Sequence, residues 1–298
     1  MNYRQLGKSD LQVSEIGFGC MSLGDDDAAN RALLHQALDH GINYFDTADL
    51  YQHSRNETTL GKAFKGMRAK VLLATKAGNQ MRPDGSGWDW NPSKAYILQA
   101  VEESLKRLQT DYIDLYQLHG GTLDDPMDET IQAFETLQQQ GKIRFYGISS
   151  IRPNVIREYV KHSSMVSVMM QYSLLDRRPE EEVLALLQEH QIGVLTRGTY
   201  AQGLLLGKPS KPYLGFGEAQ VAKAASAIAA VAGTTGIAAE VAARFVLHHP
   251  AVTSAVLGIR NQAQLGEALQ AAASAALTKA EIEQLATAVE AKTYEQHR

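Results

Sequence analysis

Residues 93–118 read SKAYILQAVEESLKRLQTDYIDLYQL, and this stretch contains the unit from which the fold is built. Within Ser93–Leu108 the apolar residues recur every three or four positions, which is typical of an amphipathic helix. The next apolar run, Ile113–Leu118, is short, which is typical of a buried strand. Helices that alternate with buried strands indicate a parallel sheet.

The same alternation of short apolar runs and longer helical segments extends over the whole chain. Eight runs in 298 residues leave about 37 residues for each strand and its helix, and such strands pair in parallel through right-handed crossovers. This arithmetic predicts an α/β fold, the (β/α)8 TIM barrel. The predicted strands are Ile16–Phe18, Asn43–Phe45, Val71–Thr75, Ile113–Leu118, Phe145–Ile148, Val166–Met170, Gly193–Leu195 and Thr253–Leu257. The predicted helices are Asn30–His40, Asn56–Phe64, Ser93–Leu108, Asp128–Gln140, Pro153–Val160, Pro179–His190, Ile237–His248 and Gln262–Ala272.

Three segments fall outside the eight units. Tyr3–Val13 alternates around the turn Gly7–Asp10, which predicts an N-terminal β-hairpin that closes the barrel floor. The connection Arg197–Thr235 contains an extra alanine-rich helix, and Lys279–Thr293 follows a capping-box pattern that predicts a final helix. We find no linker, so residues 1–298 are expected to form a single domain. A doubly wound open sheet is the alternative fold, and it is weakened because no Gly-x-Gly-x-x-Gly follows an early strand.

The composition excludes several classes of protein. Hydrophobic residues make up 44% of the chain and charged residues 21%, which are globular values. The net charge of −4 gives no basic excess for binding nucleic acid or an anionic membrane. The single cysteine, Cys20, excludes an intrachain disulfide and a four-cysteine zinc site, and Asp25–Asp27 lacks the spacing of a metal site. The start lacks the apolar stretch of a signal peptide, and no tract offers the roughly 20 apolar residues of a membrane span. We therefore expect a cytoplasmic protein.

Polar side chains follow every predicted strand except the first. In a (β/α)8 barrel the catalytic groups lie where the strands end and the βα loops begin. Packing alone does not require polar residues at the ends of these strands, so these residues are candidates for a functional site. They are Asp46 with Tyr51 five positions later, Lys76, His119, Ser149 with Ser150, Gln171 with Tyr172, Arg197, and Arg260.

Four of these residues, Asp46, Tyr51, Lys76 and His119, form a set suited to carbonyl reduction, and we call them the tetrad. A tyrosine hydroxyl is a slow proton donor at neutral pH, and an ammonium about 4 Å away favours the tyrosinate by up to roughly 4 kcal/mol. A carboxylate beside the lysine keeps it charged, and a histidine can orient the carbonyl oxygen. Because no protein side chain donates hydride, a nicotinamide cofactor is implied.

The tetrad and its neighbours resemble the aldo-keto reductase family, in particular its bacterial NADPH-dependent carbonyl reductases with short loops. The resemblance runs from Leu6 to about Leu269, and the tetrad matches the family's catalytic residues in order and spacing. The matching stretches are Gly41–Ala48 with Tyr51, Leu60–Ala63, Thr75–Lys76, Asp111–His119, Gly141–Arg144, Gly147–Ser149, Gln171–Leu175 and Ala201–Leu205.

The resemblance implies an oxidoreductase that reduces an aldehyde or ketone with NADPH and has no Rossmann motif. Tyr51 would be the proton donor, tuned by Lys76. Asp46 would pair with Lys76, and His119 would orient the carbonyl group of the substrate. The implied partner is a small carbonyl compound, and the sequence names neither the substrate nor an oligomeric state.

The resemblance also implies cofactor contacts around the barrel mouth. Ser149 and Gln171 would hold the nicotinamide carboxamide, and Arg197 stands where many members stack an aromatic residue on the nicotinamide. Arg260 suits the 2′-phosphate, because guanidinium binds phosphate in a bidentate manner, and this favours NADPH over NADH. The expected cofactor contacts are Gly19, Met21, Asp46, Ser149, Gln171, Arg197, Gly258, Arg260 and Gln264.

Further positions bear on cofactor affinity and on the substrate. Ser150 and Ala268 stand where the family usually or often has asparagine. Trp88 and Trp90 are predicted to wall a substrate pocket, and the alternative is that they anchor the loop Gln80–Asn91 after the third strand.

Two other functions remain open from the sequence. The same fold can serve as an NADPH-bound sensor or channel-associated subunit with little turnover. A (β/α)8 lyase or aldolase would instead use Lys76 to form a Schiff base, although a paired Asp46 would oppose this by holding the lysine charged.

Overall fold

The computed structural model describes residues 1–234 and 236–298, so Thr235, the predicted end of the long connection, lies outside the described residues. Short strands alternate with helices along this part of the chain. The strands are β1 (Tyr3–Gln5), β2 (Gln12–Ser14), β3 (Ile16–Gly19), β4 (Tyr44–Asp46), β5 (Leu72–Ala77), β6 (Asn79–Met81), β7 (Trp88–Trp90), β8 (Ile113–Leu118), β9 (Ile143–Ser149), β10 (Ser167–Gln171), β11 (Gly193–Arg197) and β12 (Val252–Gly258). The α-helices are α1 (Asp27–Asp39), α2 (Arg55–Ala63), α3 (Lys94–Leu108), α4 (Met127–Gln139), α5 (Pro153–His162), α6 (Val183–Glu189), α7 (Glu218–Ala232), α8 (Ala238–Leu247), α9 (Gln262–Ala273) and α10 (Lys279–Ala288). Short 3-10 helices cover Cys20–Ser22, Arg68–Lys70, Arg178–Glu181 and Ala201–Leu206.

Eight parallel strands close into a barrel, so the predicted (β/α)8 fold is confirmed. Their order around the barrel is β3, β4, β5, β8, β9, β10, β11 and β12, and β12 pairs back with β3. Because all eight strands run in the same direction, their carboxyl ends meet at one mouth, and the polar strand-end residues are gathered there.

The N-terminal hairpin, formed by β1 and β2, closes the other end of the barrel, as predicted. Gly7 in its turn lies against the backbone of Val166 and Gly193, where β10 and β11 begin. The apolar hairpin residues are buried among side chains of the barrel strands, so the floor is sealed by hydrophobic packing. This cluster comprises Leu6, Leu11, Val13, Tyr44, Ala74, Leu115, Val166, Met169, Leu195 and Val256.

Local capping sets the ends of several helices. The carboxylate of Asp26 accepts hydrogen bonds from two backbone amides at the start of α1. Thr278 and Glu281 form the predicted capping box at the start of α10. Gly41 follows α1 with φ of +92°, a left-handed conformation that glycine adopts without strain.

The structure contains a second hairpin where the sequence analysis placed a loop. Strands β6 and β7 pair antiparallel, with Asn79 opposite Trp90, inside the segment Gln80–Asn91 and the residue before it. The hairpin follows β5 directly and therefore stands at the barrel mouth.

Two helix predictions were wrong in extent. The segment Pro179–His190 is divided into the 3-10 turn Arg178–Glu181 and α6, because the backbone of Glu182 is non-helical, with φ of −154°. The predicted helix Lys279–Thr293 is shorter in the structure. It ends at Ala288, because the backbone of Val289 is extended and its side chain is buried.

The connection after β11 contains the predicted alanine-rich helix, α7. Its apolar residues Val221, Ala224 and Ile228 are buried, and α7 packs against α8 and α10. Among the residues that the structure describes, no helix is both long enough and apolar enough to cross a membrane.

The close packing of α2 on the end of α3 predicts an effect on stability. A Cβ atom at Gly61 would lie 2.7 Å from the carbonyl carbon of Leu108, so the backbone would have to shift. Gly61→Ala should lower the free energy of unfolding by about 2–3 kcal/mol. Gly266→Ala in α9, whose Cβ would meet nothing within 4 Å, should raise it by about 0.5–1 kcal/mol. Urea unfolding measures both values, and equal stability of the two variants would contradict this packing.

Candidate active site

The ends of β4 and β5 bring a lysine and an aspartate together at the mouth. Lys76 Nζ donates to Asp46 Oδ2 and to the Thr47 carbonyl, both at 2.7 Å, and the Lys76 and Asp46 side chains are only 1% and 6% exposed. Gln117 Nε2 donates to the other Asp46 oxygen at 3.4 Å. Burial alone would lower the pKa of Lys76, but the charge of Asp46 and interactions with Asp46 and Tyr51 raise it. Lys76 is therefore a fixed cation at neutral pH.

Tyr51 and His119 lie beside this ion pair. The Lys76 Nζ atom is 5.1 Å from the centroid of the Tyr51 ring. The ring centroids of Tyr51 and His119 are 5.9 Å apart, and the rings are nearly perpendicular, at 81°. Lys76 is buried while Tyr51 is half-buried. The structure thus brings all four residues of the tetrad together, with the Lys76 ammonium over the Tyr51 ring.

His119 is a neutral ring in this site. Its Nδ1 atom is buried and has no hydrogen-bond partner among the described residues. Burial, with the positive charges of Lys76 and Arg197, lowers the pKa of His119 to about 3. A neutral imidazole offers one N–H donor and one acceptor. It can therefore donate a hydrogen bond to a substrate oxygen without acting as an acid.

The expected cofactor contacts lie along one continuous arc of the mouth, from β9 through β12 to β3 and β4. Gly19 pairs with Asp46 on one side and with Gly258 on the other. On the neighbouring strands Gln171 lies opposite Arg197. The arc therefore joins the tetrad to the positions expected to hold a cofactor.

The side chain of Gln171 is held in a defined orientation. Arg197 Nη1 donates to Gln171 Oε1 at 2.9 Å, and Gln171 Nε2 donates to the Tyr213 hydroxyl at 3.2 Å. Tyr213 lies in the long connection after β11, and the sequence analysis did not single it out. The half-buried Ser149, at the end of β9, completes this part of the arc.

The other end of the arc carries exposed groups suited to phosphate. Arg260 is exposed, and its backbone amide donates to Gln264 Oε1 at 3.0 Å. A Cβ at Gly258 would lie 2.9 Å from Ser22 Oγ, so glycine keeps open a cradle between the loops. Met21 in the adjacent loop is 63% exposed. The Arg260 guanidinium beside this open backbone is a donor that would suit a phosphate-bearing dinucleotide such as NADPH.

Of the three positions that depart from the family pattern, Ser150 and Ala268 are buried, whereas Arg197 is exposed. The Ser150 hydroxyl accepts a hydrogen bond from the Arg152 amide at 3.2 Å, just before α5. Ala268 is 1% exposed in α9. Ser150 therefore stabilises the turn before α5, and Ala268 packs in the hydrophobic core.

The two tryptophans of the second hairpin have different surroundings. Trp90 Nε1 donates to Asp125 Oδ1 at 2.8 Å. Its ring packs so closely on Gly78 and Gly120 that Cβ atoms there would lie 2.7 Å and 3.1 Å from it. Trp88 is 49% exposed. Trp90 therefore anchors the hairpin to the loop after β8, and a pocket role for either residue stays a prediction.

The structure also reveals buried polar residues behind the tetrad that the sequence analysis missed. Glu57 accepts hydrogen bonds from Thr75 Oγ1 and Arg107 Nε, both at 2.6 Å, and the Tyr96 hydroxyl donates to Asp49 Oδ2 at 3.1 Å. The signal in the sequence was the position of Asp49, an acidic residue in the short turn between Asp46 and Tyr51.

Two other chemistries receive no support from this geometry. A Schiff base forms from a neutral amine, whereas the ion pair keeps Lys76 charged. Within residues 1–234 and 236–298, no group of three or more His, Cys, Asp or Glu side chains is placed to hold a metal ion.

Comparison with known proteins identifies the family. The model of the aldo/keto reductase family matches residues 15–290. The chain is 50% identical to the uncharacterized oxidoreductase YqkF of Bacillus subtilis (strain 168) over 307 aligned positions, which cover 100% of both chains. The chain therefore belongs to the aldo/keto reductase family, and it is an oxidoreductase.

Similar proteins extend this comparison. The structure superposes on the aldo-keto reductase AKR11C1 from Bacillus halodurans, in its holo form, with a TM-score of 0.95 and 50% sequence identity, covering 100% of this chain and 99% of that chain. The chain is also 34% identical, over 210 residues, to the aldo-keto reductase yakc [NADP(+)] of Schizosaccharomyces pombe, which covers 67% of this chain and 62% of that protein.

The half-buried His119 ring, whose Nδ1 atom is buried, predicts a pH effect on stability. Its pKa is about 3 in the folded protein and about 6.5 in an unfolded chain. As the pH falls below about 6.5, the unfolded chain therefore binds the proton first, and stability is lost down to about pH 3. Between pH 7 and pH 5 this ring should remove about 2 kcal/mol.

Urea unfolding at the two pH values tests this contribution. The change in unfolding free energy from pH 7 to pH 5 should differ by about 2 kcal/mol between His119→Gln and the wild type. The exposed His190 provides the control, since His190→Gln should follow the wild type. The same pH dependence in His119→Gln and in the wild type would contradict a neutral His119 ring in the folded protein.

Proposed function

We propose that this protein is an NADPH-dependent reductase of aldehydes or ketones in which Tyr51 protonates the carbonyl oxygen. The observation that carries the proposal is the buried ion pair of Lys76 and Asp46 beside the Tyr51 ring. Membership of an oxidoreductase family supports the reaction class. NADPH, when bound, supplies the hydride that reduces the carbonyl carbon.

The proton comes from the half-buried Tyr51 hydroxyl, which a substrate can reach from the mouth. When the proton moves to the carbonyl oxygen, a tyrosinate remains, and the cation of Lys76 stabilises it. Asp46 and the Thr47 carbonyl hold that cation in place. Because the charge is already in position, little reorganisation accompanies the proton transfer.

His119 orients the substrate. Its neutral ring lies edge-on to Tyr51, so a carbonyl oxygen placed between the two rings can accept a hydrogen bond from each. Two donors fix the direction of the carbonyl group and polarise it. Since the pKa of His119 is about 3, the proton that the product keeps comes from Tyr51.

The arc from β9 to β4 supplies the residues that would hold the cofactor. Ser149 and Gln171 would bind the nicotinamide carboxamide, with Arg197 and Tyr213 orienting the amide of Gln171. Arg260 would bind the 2′-phosphate. The printed name of the relative yakc includes NADP(+), and this supports the same cofactor here.

Tyr51→Phe tests the proton donor. The variant should lose 10²- to 10⁴-fold in kcat, because the hydroxyl that donates the proton is removed, while its dissociation constant for NADPH should stay within about twofold. NADPH absorbance with a panel of aldehydes measures the rate, and NADPH fluorescence measures binding. Tyr3→Phe, in β1 on the floor, is the control and should keep the wild-type rate. A near-normal rate in Tyr51→Phe would overturn the assigned donor.

Arg260→Gln tests the cofactor preference. Losing a charge-assisted contact worth about 1.5–3 kcal/mol should raise the dissociation constant for NADPH about 10- to 100-fold and change that for NADH less than threefold. Lys161→Gln is the matched control, because it removes a positive charge near the end of α5, at the opposite end of the barrel. Equal weakening of both cofactors by Arg260→Gln would show that Arg260 does not bind the 2′-phosphate.

A further inference from the structure

Asp49 lies in the short turn that joins two residues of the tetrad. Its backbone amide donates to the Lys76 carbonyl at 3.2 Å, and the Tyr51 amide donates to the Ala48 carbonyl at 3.2 Å. The segment Ala48–Tyr51 is therefore tied to β5 through Asp49. Asp49 is thus two residues from Tyr51 and hydrogen-bonded to the backbone of Lys76, so a displacement of Asp49 would be expected to reach Tyr51.

The carboxyl group of Asp49 is incompletely satisfied. Asp49 is 5% exposed. Tyr96 donates to its Oδ2 atom at 3.1 Å, but its Oδ1 atom is buried without a partner among the described residues. A buried carboxylate oxygen without a donor is unfavourable, whereas a protonated carboxyl group places only a neutral hydroxyl there.

The charges around Asp49 also disfavour its ionised form. The groups that face it are Glu57 from α2, Tyr96 and Arg107 from α3, and Tyr116 from β8, whose buried hydroxyl likewise has no partner in the described residues. Arg107 is the cation of this cluster, and it is engaged by Glu57 at 2.6 Å. A second carboxylate would share that cation and repel the first. Burial and the charge of Glu57 accordingly raise the pKa of Asp49 to about 7.

We propose that Asp49 is a positioning residue for Tyr51, which holds the Ala48–Tyr51 turn against β5 in its neutral form and loosens the turn when it ionises. The expected effect of Asp49 on the reaction rate rests on the proposed function. The expected change in the Ala48–Tyr51 turn does not depend on any activity. In this proposal Asp49 acts through Tyr51 and not on the substrate.

Asp49→Asn provides the main test, because asparagine keeps the shape and the acceptor for Tyr96 but cannot ionise. The kcat for aldehyde reduction should be measured for this variant and the wild type from pH 6 to pH 8. The ratio of the Asp49→Asn rate to the wild-type rate should rise about tenfold across this range, since loss of the neutral form slows only the wild type. Ionisation of Tyr51 affects both enzymes and cancels in the ratio.

Tyr96→Phe provides a second variant, in which Asp49 can still ionise but its ionised form is less favourable. The substitution removes the hydrogen bond that favours the ionised form of Asp49. The fall in rate with pH that the wild type shows should therefore occur about one pH unit higher in Tyr96→Phe. Parallel pH profiles for Asp49→Asn and the wild type would overturn the proposal. So would a folded Asp49→Asn that is inactive at every pH, because a neutral residue would then fail to position Tyr51.

Carbon-13 NMR of labelled aspartate and tyrosine separates this inference from the reductase proposal. In the wild type, a carboxyl resonance that is absent from Asp49→Asn should titrate near pH 7. The Tyr51 ring resonance, assigned with Tyr51→Phe, should shift with the same midpoint in the wild type and not in Asp49→Asn. A protein without reductase activity that still shows both shifts would refute only the proposed function. A static Tyr51 resonance would refute the coupling.

Discussion

The buried ion pair of Lys76 and Asp46 is the interaction on which the site depends. Moving two charges out of water is costly, and removing one partner of such a pair typically costs about 3–5 kcal/mol. Here the Thr47 carbonyl and the Gln117 amide provide the additional hydrogen bonds that a buried pair needs. The barrel makes this arrangement possible because parallel closure places the ends of β4, β5 and β8 next to one another.

The electrostatics of the mouth follow from that cation. Burial, with the charges of Lys76 and Arg197, keeps the neighbouring His119 neutral. In the proposed reaction Tyr51 would donate the proton and His119 only a hydrogen bond. Behind them, Glu57 engages Arg107, and the Tyr96 hydroxyl donates to Asp49, whose other carboxyl oxygen has no partner within residues 1–234 and 236–298. The site therefore contains a permanent ion pair and a second carboxyl group that can change its charge near neutral pH.

The tetrad and the barrel could be predicted from the sequence because strand ends in a closed parallel barrel converge whatever their separation along the chain. The features that were missed depend on contacts between distant segments. The β6–β7 hairpin consists of two three-residue strands, too short for a periodic signal, and it is fixed by Trp90 on Asp125. The break at Glu182 lies inside a helical pattern. The buried surroundings of Asp49 arise only when α2, α3 and β8 pack together.

The most direct test of the central claim is the reduction rate of the double variant Asp46→Asn, Lys76→Met at saturating NADPH. Removing both charges together leaves no unpaired buried ion, so the fold should persist in urea unfolding. We expect kcat to fall at least 100-fold, because the buried cation beside Tyr51 that would stabilise the tyrosinate is removed. A folded double variant with kcat within threefold of the wild type would contradict the claim that the ion pair drives proton donation from Tyr51.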